Sequence, residues 1–176
     1  MDQPVPSAPP TTSRSLTRSI LGAALFAPAF AIACAGIVAA RMLLAGQAAG
    51  GRFATVTAVV FVATAAAGFA GWVLAAAFAG DRPASARFAT MLILLVAGTA
   101  GFIAFGQYLA FMLGERIRTE EAEFPSLRWV LLVVGGGPSA VYVTIAIALR
   151  LLLPVGLVPL LAGAALFARH GDRRAG

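Results

Sequence analysis

The residues that could do chemistry in this chain are mostly uncharged and sit inside long apolar runs. They are Thr57, Thr64, Thr90, Thr99, Gln107, Tyr108, Ser139, Tyr142 and Thr144. The sharpest grouping is Gly135, Gly136, Gly137, Pro138 and Ser139. Relative to Ala, a Gly weakens a helix by about 1 kcal/mol and a Pro by about 3 kcal/mol. A helix broken inside a membrane exposes carbonyl and amide groups, which in transporters hold substrate or ion. Ser139 and Tyr142 flank this break. With Gln107, Thr64 and Thr99 they outline a site for a neutral or apolar solute. The same residues also fit a simple kink or a close helix contact, and Gln107 fits a hydrogen-bonded join between helices.

Charged chemistry is poorly supplied. The acids are Asp2, Asp81, Glu115, Glu120, Glu121, Glu123 and Asp172, all in tails or between apolar runs. A proton-coupled carrier needs an ionisable group within the membrane, and intramembrane proteolysis needs paired acids, Ser with His, or a metal motif. His170 is the only histidine and Cys34 the only cysteine, so an intrachain disulfide and a pair of axial histidines are both excluded. Arg116 and Arg118 offset Glu120, Glu121 and Glu123, which read as a solvated loop. The expectation is a non-enzymatic chain with no catalytic residue, no metal and no cofactor.

The elements that carry these residues follow from composition. Hydrophobic side chains make up 60% of the 176 residues and charged ones 11%, whereas soluble domains carry about a quarter charged. Runs of about 20 apolar residues cross a bilayer core of about 30 Å as helices. The sequence therefore predicts an all-α, polytopic transmembrane bundle with the lipid bilayer as its first partner. Residues 1–13 read as a disordered tail rich in Pro, Ser and Thr, 14–170 as one membrane domain, and 171–176 as a basic tail. Five spans are expected, over about 19–44, 53–79, 88–113, 127–149 and 151–168. The alternative has four spans and a short or re-entrant fifth, because Pro154 and Pro159 fall in the first half of the last run. Arg150 marks the turn before that run.

Ala31, Ile32, Ala33 and Cys34 loosely resemble a lipoprotein cleavage site. The apolar run continues through Leu44, well past the 7–15 residues usual in a signal peptide, so it reads as a retained first helix. Pro28 inside it predicts a kink. The loop from Gly114 to Arg128 reads as a short interfacial helical turn ending before Pro125.

Two patterns bear on packing. Ala27, Ala31 and Ala35 lie on a stripe of alanines every fourth residue, and Ala67, Gly71 and Ala75 on a second, the kind of seam that lets membrane helices approach closely. Arg52-Phe53-Ala54-Thr55 is repeated as Arg87-Phe88-Ala89-Thr90, and at the same offset Thr64 matches Thr99 and Gly71 matches Gly106. Neighbouring spans related in this way would be inverted copies.

The net charge of +6 comes from arginines at the ends of apolar runs, where they meet anionic head groups, so nucleic acid is not an expected partner. Their distribution places the end after the last span in the cytoplasm for both span counts. The wealth of Ala and Arg without Lys points to a bacterial inner membrane. The function expected from all this is an accessory or assembly subunit, packed against another membrane protein or itself. The alternative is a small channel or carrier built around Gly135–Ser139.

Overall fold

Three stretches of the chain are apolar enough to be helical on every face, so helix ends are set by Gly, Pro and charge. A computed structural model describes residues 12–46, 51–79, 82–119 and 155–172. Among these the secondary structure is entirely helical: α1 spans Thr12–Leu44, α2 Gly51–Ala79, α3 Ala84–Thr119 and α4 Leu157–Asp172. The stretches Ser19–Leu44, Phe53–Ala79 and Ala84–Ala110 are each long and apolar enough to cross a bilayer.

Local chemistry fixes the ends. Gly46 takes a φ of 71° and its N–H donates to the Leu43 carbonyl at 3.0 Å, which closes α1. Only glycine adopts this left-handed conformation freely. Between α2 and α3 the Arg82 N–H reaches the Ala79 carbonyl at 3.2 Å, and Pro83 precedes the first residue of α3. α1 is one continuous helix through Pro28.

The helices pack in chain order, α1 on α2, α2 on α3 and α3 on α4, with α4 also touching α1. Small residues set the α2–α3 register. A Cβ on Gly98 would meet Ala67 at 3.4 Å, one on Gly71 would meet Leu95 at 3.5 Å, and one on Gly106 would meet Val59 at 3.0 Å. The two helices therefore run antiparallel, and Thr99 comes level with Ala66, two residues from Thr64. Gly163 of α4 faces Leu95 of α3, and the Phe167 carbonyl is held by Arg87 of the same helix. So α4 also runs antiparallel to α3, and its C-terminal end lies beside the start of α3.

The core gathers Ala23, Phe30 and Cys34 from α1, Trp72 and Ala75 from α2, Met91 and Leu95 from α3, and Leu160, Ala164 and Phe167 from α4. Aromatic rings line its middle. Phe26 stacks on Phe30 at 5.5 Å and lies 5.1 Å from Trp72, and Trp72 meets Phe167 edge-on at 5.0 Å. Leu21, Leu25, Ile32, Phe78, Ile93 and Phe105 are exposed. Outward hydrocarbon of this kind suits lipid contact.

Several expectations change. The last apolar segment does not form a helix from Leu151 to Ala168: α4 starts at Leu157, after Pro154 and Gly156, and continues to Asp172. Its apolar part, Leu157–His170, is 14 residues, about 21 Å of helix, too short to cross a core of about 30 Å. The third helix is longer than 88–113. It begins at Ala84 and runs on through Glu115, Arg116 and Arg118, because Glu and Arg are good helix formers and leaving the membrane does not require leaving the helix. Thr12, expected in the tail, is the first residue of α1. The span expected over 127–149 and the turn at Arg150 lie outside the described residues, so the five-span count stands on sequence alone.

Candidate functional site

Buried polar groups inside an apolar bundle are costly, so they mark where a function could sit. Among the described residues Thr64, Arg87 and Thr99 are the buried polar or charged side chains. Thr64 is held by the helix it belongs to, its hydroxyl donating to the Val60 carbonyl at 2.7 Å. This is the usual solution for a threonine in lipid.

Thr99 differs. It is 1% exposed, and its hydroxyl has no hydrogen-bond partner within the protein. A buried hydroxyl left in this state costs about 1–3 kcal/mol. Thr99 continues the buried four-residue stripe of Arg87, Met91 and Leu95, and lies one turn beyond Leu95. Leu95 faces Gly163, so Thr99 comes level with Pro159 in the first turn of α4. Counted from Arg87, it lies about 18 Å along the helix, near the middle of a bilayer core. The Thr57 hydroxyl is likewise enclosed without a partner, nearer the start of α2.

Arg87 corrects an expectation. Its position at the start of an apolar run suits a side chain reaching toward head groups, yet it is 7% exposed and turned inward. Its Nη2 donates to the Phe167 carbonyl at 3.0 Å and its guanidinium lies 5.4 Å from the Phe167 ring centroid. The carbonyl keeps a second lone pair for the helix's own bond, and the ring face adds a favourable contact with the cation. Trp72 shields the same place, and its ring lies 5.9 Å from that of His170. No local pattern in the sequence announces this contact, since the partners are 80 residues apart.

Of the residues expected to form a solute site, Thr64 and Thr99 come to nearly the same depth on adjacent helices. Gln107 is half-buried two turns further along α3 and does not join them. Gly135, Gly136, Gly137, Pro138, Ser139 and Tyr142 lie outside the described residues. Along the packing stripes, Ala27, Ala31 and Ala35 are buried on α1 and Ala67, Gly71 and Ala75 on α2. Cys34 is a buried free thiol, and no group of three metal-ligating side chains stands together among the described residues.

No protein-family model, curated protein or solved structure matches this chain.

Proposed function

We propose that this chain is a non-catalytic, multi-pass membrane protein acting as an accessory or assembly subunit of a larger complex in a bacterial inner membrane. The observation that carries this reading is how the interior is filled. Phe26, Phe30, Trp72, Met91, Leu95 and Phe167 occupy the space between the four helices, and the buried cation Arg87 is used to hold α4 in place. A bundle built in this way gives another membrane protein a rigid apolar exterior to pack on.

The orientation belongs to the same proposal. Arg14 and Arg18 near the start of α1, Arg82 and Arg87 at the start of α3, and Arg169 at the end of α4 share one end of the bundle, with Arg173 and Arg174 next in sequence. Arg41, Arg52, Arg116 and Arg118 mark the other end. The arginine-rich end faces the cytoplasm by the bias of positive residues toward that side. On this reading the start of α1 and the end of α4 lie on the same side of the membrane.

Extraction in mild detergent followed by native mass analysis tests the proposal. A stoichiometric second protein is expected, and a lone monomer or homo-oligomer would move the weight to a channel or carrier. That second reading is favoured by the unpartnered Thr99 hydroxyl. Replacing Gly135, Gly136 and Gly137 with Ala separates the two, since a carrier loses flux while still folding.

A further inference from the structure

We propose that the junction between the start of α3 and the end of α4 docks the headgroup of an anionic phospholipid, and that this lipid clamps the short fourth helix to the bundle. The proposal goes beyond the subunit reading and does not depend on it.

One contact brings the two helix ends together. The Arg87 Nη2 donates to the Phe167 carbonyl at 3.0 Å, and the Arg87 guanidinium lies 5.4 Å from the Phe167 ring centroid. Two further arginines border this contact. The Arg87 N–H donates to the Pro83 carbonyl at 3.1 Å, which places Arg82 little more than a helical turn away, and Arg169 follows Phe167 in the last turn of α4. Arg82 and Arg169 are both exposed, and neither guanidinium is engaged by a carboxylate among the described residues.

Charge decides what suits this place. Residues 81–87 and 167–174 carry Arg82, Arg87, Arg169, Arg173 and Arg174 against Asp81 and Asp172. The stretches 41–52 and 115–123, at the opposite ends of the long helices, hold four arginines against four glutamates, so the surplus that draws an anion belongs to the junction. A guanidinium pairs with a phosphate through two parallel N–H donors.

Hydrocarbon beside the cations makes the anion a lipid. Leu161 and Leu166 of α4 and Ile93 of α3 are exposed. A headgroup with acyl chains satisfies the arginines and this surface together, whereas free phosphate satisfies the arginines alone. The clamp also meets a need of α4, whose 14 apolar residues are too few to hold it across hydrocarbon by themselves. A phosphate on Arg82 and Arg169 links α3 to α4 at the surface, above the link that Arg87 makes inside.

The test is amide exchange of the full chain in nanodiscs of phosphatidylcholine, with and without phosphatidylglycerol. Exchange along α4 is expected to slow about tenfold with the anionic lipid, since each arginine near such a surface contributes about fivefold. Arg82→Gln with Arg169→Gln loses the response, and Arg82→Lys with Arg169→Lys keeps most of it. Arg41→Gln with Arg52→Gln, at the balanced end, leaves it intact. Inorganic phosphate added to pure phosphatidylcholine discs gives no slowing. Equal exchange of α4 in the two lipids would overturn the proposal. So would equal protection by inorganic phosphate, or a response that survives the loss of both junction arginines.

Discussion

Gly163 on α4 and Phe26 on α1 approach so closely that a Cβ on Gly163 would stand 2.8 Å from Phe26 Cζ. The ring cannot easily retreat, because Phe30 and Trp72 hold it on either side and Leu95 Cδ1 would lie 3.1 Å from the same Cβ. Gly163→Ala is therefore expected to cost about 1–3 kcal/mol through overpacking. Thermal unfolding in detergent measures this, and Phe26→Leu in the same chain should restore part of the loss. A stable single variant would mean that α4 is seated less tightly than its contacts imply.

Arg87 makes a second prediction. Arg87→Ala removes a charged hydrogen bond to the Phe167 carbonyl and should cost about 1.5–3 kcal/mol. The loss is local, so amide exchange should speed up along α4 before it changes along α1 and α2. Arg87→Lys keeps the charge without the planar guanidinium and should fall between the two. Uniform acceleration over all four helices would show that the contact is not specific to α4.

The α2–α3 seam can be probed at Gly71. A Cβ there meets Leu95 at 3.5 Å, an ordinary contact, so Gly71→Ala should stay within about 0.5 kcal/mol of wild type. Gly71→Leu has no room and should cost about 1–3 kcal/mol. Equal unfolding midpoints for Gly71→Leu and wild type would remove Gly71 from the seam.

The proposed orientation is tested by labelling from either side of sealed membranes in a Cys34→Ala background. Single cysteines at Arg82 and Arg169 should react with an impermeant maleimide from the same side, and one at Ala45 from the opposite side. Arg82 and Arg169 reacting from opposite sides would require an odd number of crossings.

The three long helices are legible in the sequence because each apolar run is bounded by Gly, Pro or Arg, with Gly46 closing α1 and Pro83 preceding α3. The start of α4 is not. Either side of Leu157 the sequence is apolar, and hydropathy cannot show where within an apolar stretch a helix begins. Pro154 and Gly156 carry that information, but proline is also tolerated at the start of a helix, as Pro159 is here. The pairing of Thr64 with Thr99 in depth was accessible through the echo between the second and third runs. The inward turn of Arg87 was not, because it depends on a carbonyl brought in by a distant helix.

The shortness of α4 has a consequence for biogenesis. With 14 apolar residues, this segment gains too little from hydrocarbon to partition into the bilayer as an independent unit. The surfaces that receive it are Phe26 and Leu95 against Gly163 and Arg87 against Phe167, and they exist only once α1, α2 and α3 have assembled. In a membrane, insertion is therefore expected to be sequential: α1, α2 and α3 have the length and hydrophobicity to enter by themselves, and α4 is recruited by the template they make.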